Sequence, residues 1–326
     1  MTVIRSQLIG TGYKLPAKVL TNDDLSKMVD TNDEWISTRT GIRSRHIAGK
    51  DELTSDLSYD AAVMAIKNAG IENQDIDFII VATVTPDNTF PATAAKLAKK
   101  LGLNSGTPAM DVNAACSGFV YASQIADNMI RLGQVKTALV IGAETLSKIT
   151  DWTDRNTCVL FGDGAGAAIF RAAECSGEST DTGLLATKIY ADGCQYDHLC
   201  SDSGVSVNQK AGFIHMDGKE VFKVAIPSLV QGVEESLKIA GVSIDQVDWY
   251  VPHQANLRII DSVAKKLEID MEKVVVTVDH HGNTSAASIP LALAESFEVG
   301  KFKKGDLIAI SAMGAGFTWG GMVIRI

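Results

Sequence analysis

Ala69-Gly70-Ile71, followed by Asp77-Phe78, returns as Ala240-Gly241-Val242, followed by Asp248-Trp249, at one offset of 171 residues (240 − 69 and 248 − 77). Leu97-Ala98-Lys99-Lys100-Leu101 returns as Val263-Ala264-Lys265-Lys266-Leu267 at offset 166, and Gly142 matches Gly314 at offset 172. Two amphipathic helices can share one such match by accident. Three in the same order mark a duplicated unit, which must fold twice and bury its copies against each other. The unit alternates strand and helix. Phe78-Ile79-Ile80-Val81-Ala82, Ala138-Leu139-Val140-Ile141, Trp249-Tyr250-Val251 and Leu307-Ile308-Ala309-Ile310 are apolar runs of strand length, the pattern of strands covered on both faces. Ser58 to Ala69 and Pro227 to Ala240 carry apolar residues at helical spacing. These features predict a layered α/β fold in two halves, 1–174 and 175–326, joined through the Ser-, Gly-, Glu- and Thr-rich stretch 171–182.

With 46% hydrophobic and 21% charged residues over 326 positions, the chain can bury enough apolar surface to offset the entropy of ordering it. Its net charge of −9 argues against a nucleic-acid surface and leaves room only for local basic patches. Met1-Thr2-Val3-Ile4-Arg5-Ser6 is not a basic segment leading into an apolar one. No run approaches the ~18 to 20 apolar residues of a membrane span, so a cytoplasmic protein without a membrane partner is expected. Cys116, Cys158, Cys175, Cys194 and Cys200 form no CxxC pair, and reduced thiols are expected.

Cys116 stands in Asp111-Val112-Asn113-Ala114-Ala115-Cys116-Ser117-Gly118-Phe119, where a short strand meets a helical stretch. A thiol there lies near unpaired backbone N–H groups and the positive end of a helix dipole, which favour the thiolate nucleophile. A small buried core cysteine is the alternative, and partners decide between them. His253 follows the strand ending at Val251, where ligands collect in α/β sheets. Asn283 follows an apolar run, Val274 to Val278, read as a strand. The offset of 167 (283 − 116) makes Cys116 and Asn283 approximate equivalents in the repeat. A thiol with His and Asn donors suits acyl transfer through an oxyanion.

Six segments carry a specific resemblance: 32–42 (Asn32-Asp33-Glu34-Trp35 onward), Ala114-Ala115-Cys116-Ser117-Gly118-Phe119, Phe161-Gly162-Asp163-Gly164-Ala165-Gly166, Val251-Pro252-His253-Gln254-Ala255-Asn256, His281-Gly282-Asn283-Thr284-Ser285-Ala286 and Gly316-Phe317-Thr318-Trp319-Gly320. Together, over essentially the whole chain, they resemble the β-ketoacyl-acyl-carrier-protein synthase III family, the initiating condensing enzymes of type II fatty-acid synthesis, of the thiolase fold. The resemblance implies an α-β-α-β-α layering and a decarboxylative Claisen condensation of a short acyl-CoA, such as acetyl-CoA, with malonyl-acyl carrier protein. It assigns Cys116 as the acylated nucleophile, His253 and Asn283 as donors to the malonyl thioester oxygen, and the backbone N–H groups of Cys116 and Ala315 as an oxyanion hole. It assigns Trp35, Arg39, Arg155 and Asn256 to coenzyme A, with Trp35 and Arg155 flanking the adenine. A core-rim Trp and a solvated Arg remain the plain alternative for that pair. Phe90, Leu160 and Phe161 are assigned to the acyl pocket, Phe90 reaching across a homodimer. Arg39, Lys223, Arg258, Lys265 and Lys266 match carrier-protein docking positions, with ordinary solvated charges as the alternative. No metal and no nucleotide cofactor is implied.

Gly10-Thr11-Gly12 is followed by Leu15 where a dinucleotide loop needs Gly or Ala, so no dinucleotide site is expected there; Gly162 to Gly166 lacks a phosphate-loop ending and reads as a close backbone approach near the active site. His280 and His281, taken as strand neighbours, should point apart and share no metal. A thiolase would carry a second cysteine near its C-terminus, and an elongating synthase a second His in place of Asn283. A specialised relative, making quinolones or polyketides or transferring acyl groups to other acceptors, stays open, as does a non-catalytic acyl-binding protein.

Overall fold

The computed structural model describes residues 2–326. In chain order the first strands are β1 (Val3–Lys14), β2 (Lys18–Thr21), β3 (Ser44–Ile47), β4 (Phe78–Ala82), β5 (Ala109–Val112), β6 (Thr137–Glu144) and β7 (Gly164–Cys175). They are followed by β8 (Gly183–Ala191), β9 (Leu199–Ser201), β10 (Ile214–Met216), β11 (Trp249–Pro252), β12 (Leu307–Gly314) and β13 (Thr318–Arg325). The helices are α1 (Asn22–Leu25), α2 (Asp33–Thr40), α3 (Thr54–Ala69), α4 (Thr93–Leu101), α5 (Gly118–Arg131), α6 (Val205–Asn208), α7 (Gly218–Ala240), α8 (Leu257–Lys266), α9 (Val278–His281) and α10 (Ser288–Glu298). One sheet runs β1-β7-β6-β4-β5 and the other β8-β13-β12-β11. In both, the first two pairs in that order (β1-β7 and β7-β6, β8-β13 and β13-β12) are antiparallel and the remaining pairs (β6-β4 and β4-β5, β12-β11) are parallel.

The orders coincide strand for strand, and the sequence matches have structural causes. Gly70 and Gly241 end α3 and α7 in the left-handed region, at φ 65° and 70°. In both, the next residue, Ile71 or Val242, donates back into the last helical turn, to Ile66 O or Leu237 O, and so satisfies a terminal carbonyl. Asp77 accepts from the backbone N–H of Thr137, and Asp248 from that of Leu307, so each carboxylate anchors the start of its neighbouring central strand.

The fifth strand of the second sheet departs from expectation. Residues 274–278 are not a strand: Val274 makes a single parallel bridge to Tyr250, and the chain then turns into α9. The cause is Gln254, fully buried beside that bridge. Its Oε1 accepts from Thr277 N and Val278 N while its Nε2 donates to Pro252 O and Val275 O, so one side chain satisfies the backbone groups a ladder would have paired.

Strand alternation builds the layers. Ile79, Val81, Leu139 and Ile141 pack outward with Leu57, Ala61 and Ala65 of α3 and Leu97 of α4. Phe78, Ile80, Ala82 and Val140 pack inward with Phe119 and Val120 of α5, Ile289 and Ala292 of α10, and Ile308 and Ile310 of the other sheet. Leu307, Ala309 and Val323 face outward onto Leu229 and Val233 of α7 and Ile260 and Val263 of α8. The result is the α-β-α-β-α sandwich, with α5 and α10 as its middle layer. Coverage on both faces is why β4 is apolar along its whole length. Gly10 and Gly12 serve helix packing, since a Cβ at either would run into backbone of α3. Among the described residues no helix is long and apolar enough to cross a membrane.

Each half also sends a tight turn onto the other half's central strand. The 3-10 turn Ala115–Ser117 lies on β12, where a Cβ at Gly314 would run into the backbone nitrogen of Cys116. The turn Ser285–Ala287 lies on β6, where a Cβ at Gly142 would run into the Ala286 carbonyl oxygen. Ala115 and Ser285, at offset 170 (285 − 115), share the left-handed region at φ 45° and 48°. The equivalence drawn from offset 167 is therefore corrected: Asn283 matches Asn113, and Cys116 matches Ala286. We predict that Gly142→Ala and Gly314→Ala each destabilise the chain by about 1 to 3 kcal/mol, the cost of overpacking a filled interior. Chemical denaturation checks this, and an unchanged midpoint in both variants would contradict the packing.

Candidate active site

Crossing the two turns brings Cys116, His253 and Asn283 to the wall of one cavity of about 160 Å³, lined otherwise by Leu160, Phe161, Phe222, Ala225, Leu229 and Met313. All three polar residues are buried, at 8%, 4% and 7% exposure. The Cys116 turn is clasped to the β12–β13 turn by Thr318, whose hydroxyl lies 2.9 Å from Ala114 O and 3.0 Å from Ala315 O and accepts from Ser117 Oγ at 2.8 Å. In that turn the left-handed φ, 131°, falls on Gly316 and not on Ala315. A side chain is therefore accommodated at Ala315.

Asn283 is fixed by backbone on both sides: its N–H donates to Leu160 O at 2.8 Å, and its carbonyl accepts from Gly162 N at 3.0 Å. This is the close approach expected of the Gly162 to Gly166 segment. Asn283 Oδ1 accepts from Ser285 N at 2.9 Å. An amide N–H only donates, so this contact orients the side chain and leaves the Nδ2 hydrogens free. His253 Nδ1 lies 2.6 Å from Ser288 Oγ, which also accepts from Gln254 N at 3.3 Å. When the Ser288 hydroxyl donates its hydrogen to Nδ1, the ring hydrogen sits on Nε2. Burial holds His253 down to about 4. At neutral pH the cavity therefore holds a neutral imidazole beside an amide donor.

The Cys116 thiol corrects a second expectation. The helix N-terminus was expected to draw it toward the thiolate, but burial pushes it up to about 12, outweighing the opposing hydrogen bond with Ser285, and the nearby Glu144 carboxylate adds to the rise. Cys116 precedes α5 in the 3-10 turn and faces an apolar cavity, so the loss of water dominates the dipole.

A surface depression of about 610 Å³ is lined by Trp35, Arg39, Asn256 and His215 and shares Leu160, Met216, Gly218 and Asn256 with the Cys116 cavity. The two are neighbours separated only by these shared residues. Asn256 caps α8 by accepting from Arg258 N, and its Nδ2 donates to Arg39 O. The guanidiniums of Arg39 and Arg155 lie 4.6 and 4.7 Å from the Trp35 ring centroid. A flat ring between Trp35 and Arg155 needs two gaps of roughly 3.5 Å each. Arg155 donates to Asp30 O at 2.7 Å, and the present spacing leaves no room for a flat ring between it and Trp35. Lys223 is exposed and paired with Glu220, Arg258 lies over Phe222 at 6.0 Å, and Lys265 and Lys266 are exposed at the end of α8.

Phe90 does not join this cavity. It is 83% exposed, in the loop that follows β4, and is not among the residues lining the Cys116 cavity. His280 and His281 also differ from expectation. They lie on the α9 turn rather than a strand, their rings 4.2 Å apart, and both reach Glu295, at 3.2 and 3.0 Å. One donor atom from each of the three falls within 4.8 Å of the others, a spacing that could hold a metal ion. Ser288, Gln254, Ser285 and Glu144 were missed. Of these, Glu144 had a signal: a carboxylate directly ending an otherwise apolar strand.

This architecture defines a thiolase-fold condensing enzyme: two matched halves whose crossed turns place a cysteine against His and Asn donors in a closed apolar cavity. Models of 3-oxoacyl-[acyl-carrier-protein] synthase III match residues 110–193, and of its C-terminal part residues 237–326. The chain is 55% identical over 322 residues to the β-ketoacyl-[acyl-carrier-protein] synthase III of Rhodospirillum centenum, covering 99% of each. The crystal structure of the Aquifex aeolicus 3-oxoacyl-[acyl-carrier-protein] synthase III superposes with a TM-score of 0.91 at 48% identity, over 98% of this chain and 100% of that one. A priming β-ketosynthase of a polyketide pathway matches at a TM-score of 0.91 and 33% identity, over 98% and 96%. The chain belongs to the β-ketoacyl-[acyl-carrier-protein] synthase III family.

The α9 cluster predicts a pH dependence of stability. Hydrogen bonds to Asp279 and Glu295 raise His280 to about 9, and the two imidazoles hold Glu295 far below the usual carboxylate range. The folded chain holds the His280 proton more tightly than the unfolded chain. The contribution is thus complete below about pH 6.5 and lost as pH rises through about 9. His280→Gln should lower the thermal midpoint most near pH 6 and least near pH 9.5, read by calorimetry. A difference that does not shrink with pH would contradict this reading.

Proposed function

We propose that the chain takes a short acyl group from acyl-CoA onto Cys116 and joins it to malonyl-acyl carrier protein with loss of CO2, giving a 3-oxoacyl-acyl carrier protein. The convergence of Cys116, Nε2–H of His253 and the Nδ2 donors of Asn283 on one closed cavity carries the reading. Cys116 attacks the acyl thioester, and the backbone N–H groups of Cys116 and Ala315 receive the oxyanion while coenzyme A leaves as thiolate. The malonyl thioester oxygen then lies against His253 and Asn283. Loss of CO2 places an enolate charge on that oxygen, and each positioned donor is worth about 3 to 4 kcal/mol there. The carbanion attacks the acyl-Cys116 carbonyl and expels Cys116. A neutral His253 suits this role, since it donates a hydrogen without protonating the carbanion.

The cavity supports a short primer, because roughly 150 Å³ holds about one benzene-sized group and no long chain. The depression at Trp35 and Asn256 supports coenzyme A entry, with Arg39 and Arg155 beside it. Exposed Lys223, Arg258, Lys265 and Lys266 on α7 and α8, next to the mouth residues Val221 and Phe222, support docking of an acidic carrier protein. Exposed Phe90, a large apolar ring left uncovered in one chain, supports a homodimer in which that ring is covered.

His253→Ala and Asn283→Ala should each slow CO2 release from carboxyl-labelled malonyl-acyl carrier protein by about 10² to 10³ while leaving acetylation of Cys116 within a few-fold. Because His253 is held down to about 4, CO2 release should be flat between about pH 6 and 8 and fall only in stronger acid. Unchanged CO2 release in both variants would overturn the assignment.

A further inference from the structure

The turn α9 and the helix α10 gather three metal-ligating side chains that the reaction proposed above leaves unused: His280, His281 and Glu295. None of them lines the Cys116 cavity. His280 Nε2 lies 3.2 Å from both carboxylate oxygens of Glu295, and His281 Nε2 lies 3.0 Å from Oε2. The two rings meet edge to face, at 63°. Two imidazole nitrogens and a carboxylate thus converge on one point instead of pairing off separately. The backbone that carries the imidazoles is already fixed. His280 N and His281 N donate to Thr277 O, and Asp279 O accepts from Arg43 N at 2.8 Å. The His281 carbonyl oxygen abuts Gly162, where a Cβ would run into it. On the other side of the His280 ring, Nδ1 lies 2.8 Å from Asp279 Oδ1, the kind of carboxylate partner that orients a metal-bound imidazole. His281 is buried, at 1% exposure, and its Nδ1 has no partner, so the ring's one polar engagement is Nε2 toward Glu295. The side chains of His280 and Glu295 keep 42% and 29% of their surface open, which gives an ion and its water a way in from solvent.

We propose that His280, His281 and Glu295 bind one divalent transition-metal ion of the zinc class, through both Nε2 atoms and the carboxylate, with water as the fourth ligand. The donor set decides the class. Two imidazoles and one carboxylate are what Zn2+ takes where one position is left open, whereas Mg2+ and Ca2+ require mostly oxygen ligands. The spacing agrees. A tetrahedral site with bonds of about 2.1 Å sets its ligand atoms about 3.4 Å apart, and the nitrogen–oxygen separations here, 3.2 and 3.0 Å, are already near that. Without metal, shared hydrogens hold the three groups together, and the ion takes the place of those hydrogens. The hydrogen of a metal-bound His281 then rests on Nδ1, which has no acceptor. The affinity therefore falls short of a closed structural zinc site, with a Kd of about 1 to 10 µM rather than nanomolar. The ion joins α9, which ends two residues before Asn283, to α10, whose Ser288 stands two turns before Glu295 and bonds His253. It is a clamp outside the cavity, and nothing in it depends on the acyl chemistry of Cys116.

The test takes the full chain, stripped with EDTA, and titrates it with Zn2+ by calorimetry and with Co2+ by visible absorbance, beside His280→Gln and Glu295→Gln. Wild type should bind one Zn2+ per chain, and its thermal midpoint should rise by about 4 °C with the metal at about 100 times its Kd. Co2+ should give the visible bands of a four-coordinate site without a thiolate charge-transfer band, and Mg2+ should give no heat. Each substitution should weaken Zn2+ binding by at least about 100-fold. If Glu295→Gln fails to fold, His280→Gln decides, since that side chain is 42% exposed and its loss opens no cavity. Four results would each overturn the proposal. They are Zn2+ binding of wild-type strength in His280→Gln, a thiolate band that places the ion on the exposed Cys194 or another free cysteine, Mg2+ binding as tight as that of Zn2+, and no heat up to about 1 mM Zn2+.

Discussion

Gly142 and Gly314 let each half of the molecule press a turn of its own against the backbone of the other half's central strand. Everything at the site depends on that mutual contact. It brings Cys116 to the β12–β13 turn that carries Ala315, and it sets Ser285 over the end of β6 where Glu144 lies. Neither half alone has a cavity, because the walls come from Leu160 and Phe161 on one side and Phe222, Leu229 and Met313 on the other. Duplication here supplies the geometry of an active site, with Asn283 and Asn113 as matching positions put to different uses.

The site's chemistry follows from its dryness. Burial raises the Cys116 thiol and the Glu144 carboxyl and keeps His253 neutral. Electrostatic stabilisation must then come from hydrogen-bond donors rather than fixed charges, and donors aimed at an oxygen act most strongly where water is excluded. The positive charges stay outside, around Trp35 and along α7 and α8, where solvated acidic groups of an incoming substrate or carrier would meet them.

Much of this was legible in the sequence, and the failures share a cause. The repeat could be read because helix caps and strand anchors, at Gly70 and Gly241 and at Asp77 and Asp248, depend on local backbone chemistry that fixes residue type. Cys116, His253 and Asn283 stood at strand exits, where periodicity points. Residues 274–278 were misread because a buried Gln254 replaced the ladder, and a run of valines does not reveal a side chain from another strand. His280 and His281 were misplaced for the same reason, having been read as part of that strand. The thiol's rise depends on enclosure by α7, β12 and the Leu160 segment, contacts far apart in sequence, and the partners of Ser285 and Glu144 are likewise tertiary.

The central claim is that the crossed turns make Cys116 an acyl carrier between two substrates. Its most direct test is the intact mass of one sample of the protein, taken after acetyl-CoA and again after malonyl-acyl carrier protein. The account predicts one acetyl group gained at Cys116, absent in Cys116→Ser, then lost with the appearance of acetoacetyl-acyl carrier protein and CO2. An acetyl group that malonyl-acyl carrier protein never discharges, or a wild-type protein that no acyl-CoA labels, would contradict it.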